Sequence, residues 1–379
     1  MPREQFSQAS PSQPLSASAP DGALLSDSAM PGTVALPVVS LVIPTHNRRE
    51  SLRMVLEALA QQTTPADQYE ALVICDGCTD DTAEMCRALR VKYRLRLFEQ
   101  TSNQGPAAAR NRGVQEAAAP LILFIDDDVV PEPTLIAEHM RLHEQDERAV
   151  VIGPLLAPPN FRLNPWTRWE EAMLIKQYDG MMAGKWEPTP RQFYTGNASV
   201  RREYILAAGG FDAHFRRAED IELAYRFLDQ GLRFHFNPQA KGWHHVRRPL
   251  RSWLSIPTEY GWADVAMYRS NRQRILKNMA KEFHRRQRPL QHLARACLGN
   301  PRRLRLTVSA LLVAARLADW LRQPKIANAA FSAIFNLRYW QSVSEQIGGR
   351  AAFWQQVETY HPEAEAPANA GNGPPAASL

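Results

Sequence analysis

The sequence predicts an α/β fold, a mostly parallel central sheet flanked by helices, with a helical C-terminal extension. Three observations predict it: short apolar runs of strand length, stretches of helical periodicity between them, and polar residues placed directly after the runs. Strand starts recur every ~25–30 residues, the length of a strand–helix–strand unit, and such units close with right-handed crossovers.

Residues 38–43 (VVSLVI) form the first strand, which ends at Pro44. In 48–61, Leu52, Val55, Leu56 and Leu59 fall at i, i+3, i+4 and i+7, one face of a helix. Residues 71–75 (ALVIC) form the second strand, closed by Asp76-Gly77, and Thr82, Met85, Cys86 and Leu89 mark a helix over 80–90. A weaker run at 95–98 is the third strand, and 121–125 (LILFI), ending at Asp126, is the fourth. Continuous apolar runs suit parallel strands buried on both faces. Further strands are expected at 193–200 and 232–236, with an irregular insertion at 154–192 and a helix over 219–228. From about 265 to 360 the pattern is helical. Leu304, Val308, Leu311, Leu312 and Ala315 share a face, with Arg302, Arg303, Arg305 and Arg316 around them. Such a helix either lies on a membrane surface or packs on the α/β domain.

Composition is that of an ordinary globular chain: 379 residues, 45% apolar, formal charge +6. It excludes a wholly disordered, collagen-like or heptad-only protein. Four cysteines are too few for a disulfide scaffold and fit free thiols in a reducing compartment. The Cys75/Cys78 pair lacks a second pair at zinc-site spacing. No apolar run reaches the ~20 residues a bilayer span needs, and the N-terminus lacks the pattern of a secretory leader. Residues 1–36 and 362–379, rich in small and polar residues and proline, are expected to be disordered tails. Charge is unevenly placed. Residues 241–325 carry 19 Lys+Arg and four acids, a net +15, which leaves −9 on the other 294. Phosphates, an anionic membrane face or nucleic acid would suit this block, as would a solvated helical surface. Without a zinc-finger, RRM or P-loop signature, nucleic acid is the weakest of these partners.

Thr45, Asp76 and Asp126 to Asp128 each follow the carboxyl end of a predicted strand. In a parallel sheet those ends share one rim, where ligands bind. Thr45 or Asn47 also suits a cap on the first helix and Thr79 or Asp80 on the second, and Asp-Gly is an ordinary turn dipeptide. The triple aspartate is different, because adjacent carboxylates repel one another. A divalent cation would relieve the repulsion, and Mg²⁺ or Mn²⁺ takes carboxylate oxygens while leaving positions open for phosphates. Neither G-x-G-x-x-G after the first strand nor G-x-x-x-x-G-K-[ST] anywhere is present. That argues against dehydrogenases and P-loop NTPases, and leaves a metal to hold any phosphate.

Seven stretches, in order, resemble family 2 glycosyltransferases of the GT-A fold: VSLVIPTHNR (39–48), VICDGCTDDT (73–82), NQGPAAARNRG (103–113), LILFIDDDVVPEP (121–133), FYTGNASVRREYILAAGGFD (193–212), AEDIELAYRFLDQG (218–231) and WHHVRRP (243–249). Cys78 departs from the usual Ser after Asp-Gly. The resemblance implies a GT-A catalytic domain at 37–250, with a nucleotide-binding half at 37–130 and an acceptor half at 131–250, then a basic helical region at 251–361. It implies inverting transfer from a nucleotide-diphosphate sugar, UDP-sugar favoured, to a glycan or lipid-linked acceptor. Pro44, Thr45, Asp76, Arg110, Asp126 and Asp127 are then the donor-binding residues. Asp128, Asp126 and His245, preferred over His244, would hold Mn²⁺ or Mg²⁺. Asp220 would be the general base, with Glu219 its substitute. The insertion either forms an acceptor site or lid, with Trp166, Trp169 and Trp186 stacking on sugar rings, or packs those tryptophans into a small core. A nucleotidyltransferase-like enzyme and an inactive nucleotide-sugar binder of the same fold are the alternatives. The implied setting is cytoplasmic, with the basic block as candidate contact to the membrane face.

Overall fold

The computed structural model describes residues 36–215, 217–270 and 274–360. Apart from Leu36, the tails expected at 1–36 and 362–379 lie outside these residues. The first half alternates β1 (Val39–Thr45), α1 (Arg49–Leu59), β2 (Tyr69–Asp76), α2 (Thr82–Ala88), β3 (Arg94–Gln100), α3 (Pro106–Glu116) and β4 (Leu121–Ile125). β1 is central, with β2 and β4 parallel on either side and β3 parallel beyond β2. Strand alternation divides the apolar residues between two layers. Leu41 and Ile43 pack with Leu52, Val55 and Leu59 of α1, whereas Val42 packs with Val114 of α3 and Phe124 of β4. Each such burial contributes about 1.5–3 kcal/mol. α3 lies so close to β1 that a Cβ on Gly113 would stand 2.3 Å from the Val42 side chain.

β3 reads weakly because its Arg96 is buried and partnered. Its guanidinium lies 3.4 Å from Glu70 of β2 and donates to the Glu116 carbonyl of α3 at 2.7 Å. A buried charge is tolerated only with such partners.

β5 (Val129–Pro131), α4 (Leu135–Gln145), β6 (Ala149–Ile152), β7 (Leu155–Leu156), α5 (Pro165–Met182), β8 (Asn197–Arg201), α6 (Arg202–Ala207), α7 (Glu219–Asp229), β9 (Arg233–Phe236) and β10 (Gly242–His244) follow. Among the described residues the main sheet has seven strands in the order β3-β2-β1-β4-β8-β6-β9. β8 runs antiparallel to β4 and β6, and the other pairings are parallel. β10 joins β5 and β7 in a small second sheet. The expected α/β arrangement, a mostly parallel central sheet flanked by helices with a helical C-terminal region, is the one observed.

The insertion at 154–192 is not irregular, because 18 of its residues form α5. Pro165 sits in the first turn, where its missing N–H costs nothing. Gly180 leaves room for Trp186, which a Cβ there would meet at 2.2 Å.

α8 (Leu250–Arg269), α9 (Arg274–Arg285), α10 (Arg288–Cys297), α11 (Pro301–Trp320), α12 (Pro324–Gln346) and α13 (Arg350–Glu358) complete the chain. In their core Phe331 and Phe335 of α12 meet Trp253 of α8, Trp340 of α12 meets Phe283 of α9, and Trp169 of α5 meets Trp253 edge to face at 5.6 Å. The face of α11 marked by Leu304, Val308 and Ala315 is buried in this core. Among the described residues no helix is long and apolar enough to cross a membrane.

Candidate active site

The parallel strands bring Thr45, Asp76 and Asp126 to one rim, at the crevice between β1 and β4 where the strand order changes direction. A cavity of about 510 Å³ opens there, lined by Pro44, Thr45, Asp76, the three aspartates 126–128 and His244 among others. The Thr45 hydroxyl donates to Asp127 Oδ2 at 2.7 Å across the crevice. Asp76 is buried and accepts from the Gln104 and Gly105 N–H groups at 2.7 and 2.8 Å. It thereby fixes the loop that leads into α3.

Compensation for the triple aspartate comes partly from a side chain that sequence reasoning missed. Arg48 donates to Asp128 Oδ2 at 2.6 Å and to Asp127 Oδ1 at 3.2 Å. The available signal was its place just beyond the first strand, on the same rim. The two carboxylates respond in opposite directions. Burial pushes Asp127 up to about 7, against the pull of Arg48 and the Thr45 hydrogen bond. Burial also opposes ionisation of Asp128. There the hydrogen bond and charge of His244, together with Arg48, outweigh it and hold the carboxyl well below the usual carboxylate range.

The imidazole that meets the cluster is His244, whose Nε2 lies 3.4 Å from Asp128 Oδ1. His245, preferred on sequence grounds, contributes its backbone N–H to the Asp128 carbonyl at 2.8 Å. Its ring stands edge-on to Phe161 at 5.5 Å. Successive residues of an extended chain face opposite sides, so one of the pair must turn away.

Asp128 and His244 offer a carboxylate oxygen and an imidazole nitrogen, a donor set that suits Mn²⁺ and accepts Mg²⁺. Among the described residues no three His, Cys, Asp or Glu side chains form a ready-made metal cage. Two such donors would leave the remaining positions around a cation to phosphate and water. Asp126 borders the same cavity, and its Oδ1 accepts from Arg110 Nη2 at 2.9 Å.

Arg110 is buried and bridges two acids. Its second terminal nitrogen donates to Glu219 Oε1 at 2.7 Å, and its guanidinium lies over the Phe211 ring. Beyond it lies a second cavity of about 300 Å³, lined by Glu219, Asp220, Tyr194 and Tyr260 among others. Pro106, Arg110, Asp126, His244 and Arg248 border both cavities.

The acid pair stands in the first turn of α7, where the helix dipole favours negative charge. Ala218, just before it, has φ 61°, a left-handed conformation that a non-glycine residue adopts at a cost of ~1–2 kcal/mol. Strain of this kind persists where the surroundings fix it. Asp220 Oδ1 accepts from the Ile221 N–H at 2.8 Å, and Oδ2 from the Thr195 N–H at the long distance of 3.5 Å. Thr195 reaches this position because β8 runs backwards and begins at the rim. Burial raises both acids. Glu219 is pushed up to about 7, with the neighbouring Asp220 adding to the effect and Arg110 opposing it.

Leu163, Thr167, Glu170 and Leu174, from α5 and the segment before it, wall the second cavity. The three tryptophans expected to stack there pack elsewhere. Trp169 enters the helical core, Trp166 donates to the Arg248 carbonyl at 2.8 Å, and Trp186 packs on Gly180. Glu170 pairs with Arg248 at 2.5 Å.

Residues 40–209 match the family described as Glycosyl transferase family 2. A validoxylamine A glucosyltransferase of Streptomyces hygroscopicus subsp. jinggangensis is 32% identical over 238 residues, 54% of this chain and 54% of its own. The glycosyltransferase AglE of Haloferax volcanii is 27% identical over 57% of this chain and 69% of its own. A mannosyltransferase from Pyrobaculum calidifontis, solved with GDP-Man and Mn²⁺, superposes with a TM-score of 0.48 at 21% identity, covering 89% of this chain and 92% of that one. The chain spans about half the length of the first curated relatives it matches.

Proposed function

With residues 40–209 belonging to glycosyl transferase family 2, we propose that this chain is an inverting, metal-dependent glycosyltransferase. It moves a sugar from a nucleotide-diphosphate donor, UDP-sugar favoured, to a hydroxyl of a glycan or lipid-linked acceptor. The observation that carries the reading is the shared wall between the two cavities. A chamber with phosphate-suited chemistry and a chamber holding a carboxylate of raised pKa meet at Arg110 and Asp126. Single displacement with inversion needs that opposition of leaving group and base.

In the larger cavity Thr45, Asp76 and Asp127 position the nucleoside end of the donor, and Asp128 with His244 would hold the metal. When bound, the metal supplies charge neutralisation at the departing diphosphate. Arg48 and Arg248 face the same space and offer further positive charge as the diphosphate leaves. In the smaller cavity Asp220 accepts the proton of the acceptor hydroxyl as its oxygen attacks the anomeric carbon. Burial raises the Asp220 carboxyl above its ordinary value, which increases its affinity for the proton it receives. Glu219, which accepts from Arg110 at 2.7 Å, keeps the base and Asp126 in register and is the substitute base.

A panel of nucleotide sugars assayed for donor hydrolysis and transfer, first with Mn²⁺ and then with chelator, tests this reading. The expected result is turnover with one donor class, lost with chelator and in Asp128→Asn. Turnover indifferent to both would contradict the metal assignment, and no turnover with any donor would contradict the transferase.

A further inference from the structure

The buried side of α11 leaves a second apolar stripe facing outward. Leu306, Ala310, Val313, Leu317 and Trp320 recur at i, i+4, i+7, i+11 and i+14, one continuous face of a helix. Three of them are more exposed than large apolar residues usually are: Leu306 at 73%, Val313 at 67% and Trp320 at 77%. Leu321 and Ile326 extend the patch past the end of the helix and are also exposed. At 1.5 Å per residue the stripe is ~21 Å long.

Its surroundings carry one sign of charge. Arg302, Arg303, Arg305, Arg316, Arg322 and Lys325 are exposed, and among the described residues none has a carboxylate partner. The one acid of the helix, Asp319, is already held by Arg168 of α5 at 2.6 Å. A second copy of the chain meeting this face two-fold would set these cations against their own equivalents. Anionic lipid headgroups match them, and an interfacial helix combines such features: aliphatic and Trp side chains at the acyl boundary with arginines reaching headgroups.

We propose that the outward face of α11 docks the protein on an anionic membrane surface, Trp320 at the interface and the arginines on phospholipid headgroups. The docking face differs from the Leu304–Val308–Ala315 face, which is spent on the helical core. Arg168 follows Thr167, which lines the smaller cavity, so the Arg168–Asp319 pair ties the docked helix to the wall of that cavity.

The full-length protein is tested by co-sedimentation with vesicles of phosphatidylcholine, with and without phosphatidylglycerol, at low and high salt. Binding is read without turnover, so it stands or falls separately from the transferase. The expected result is binding at least about tenfold tighter to phosphatidylglycerol vesicles, weakening with salt. Leu317→Ser/Trp320→Ser and Arg305→Glu/Arg316→Glu should each weaken it by about tenfold or more, with far-UV circular dichroism unchanged. Equal binding to both vesicle types, or undiminished binding by both folded double variants, would overturn the proposal. So would a dimer seen by light scattering that only Leu317→Ser/Trp320→Ser dissolves while vesicle binding stays intact.

Discussion

The two cavities that meet at Arg110 are built by opposite means. In the larger one, acids are crowded and already answered by Arg48, Thr45, His244 and backbone N–H groups. In the smaller one, Asp220 accepts from backbone N–H groups, one of them long, while Arg110, whose charge favours its ionised form, is hydrogen-bonded to Asp126 and Glu219 instead. The difference teaches how one rim serves two tasks. Charge compensated in advance suits a site that receives a polyanion with its metal, and a carboxylate left short of partners suits proton transfer.

Breaking the wall itself should have the largest effect. Arg110→Met leaves Asp126 and Glu219 facing each other without a cation, and should destabilise the fold by about 3–5 kcal/mol in urea titration. Adding Glu219→Gln should restore part of the loss. A change under about 1 kcal/mol would mean the acids are not held apart electrostatically.

The aspartates of the larger cavity should then separate. Asp128→Asn should weaken Mn²⁺ binding, read by titration calorimetry with the donor nucleotide, by about 10–100-fold. Asp127→Asn, replacing a carboxyl already pushed toward neutrality, should cost far less. Equal losses would erase the distinction between the two.

The raised acids also set a pH slope. Asp127 and Glu219 hold protons to about 7 when folded, whereas an unfolded carboxylate loses its proton near about 4. Their stabilising contribution is therefore full below about 4 and lost as pH rises toward 7. Buried His139 and His143, held neutral below their ordinary range, slope the opposite way, so the Glu219 contribution is read as a difference: from pH 5 to pH 8 the metal-free parent should lose more melting temperature, or gain less, than Glu219→Gln. An unchanged slope would place the Glu219 carboxyl in a more solvated state. The smallest effect belongs to the periphery: Arg168→Ala breaks a largely exposed pair and should cost about 1 kcal/mol or less in thermal melts.

Much of this contrast was legible in the chain. The apolar runs ending at Pro44, Asp76 and Asp126 gave the strands and hence the rim, because burial on both faces leaves a continuous apolar signature. Less legible was whatever tertiary pairing decides. The reversed direction of β8, which carries Thr195 to Asp220, has no local mark in NASVR. α5 was hidden by the prolines and glycines around it, although Pro165 is a helix-start signal. His244 and His245 are indistinguishable until strand register assigns one to each face. Nothing local singles out Arg48, and only the meeting of β1 with β4 sets it against Asp128. The outward stripe of α11 was obscured by the apolar residues of its inward face, since nothing local says which of two faces a helix buries.

The most direct measurement is transfer by Asp220→Asn set beside its donor affinity. Loss of the base should lower kcat by about 10²–10⁴-fold while the dissociation constant for donor and metal stays within about twofold of the parent's. A variant that binds donor equally well and transfers at the full rate would contradict the division of the rim into a charged donor chamber and a poised base.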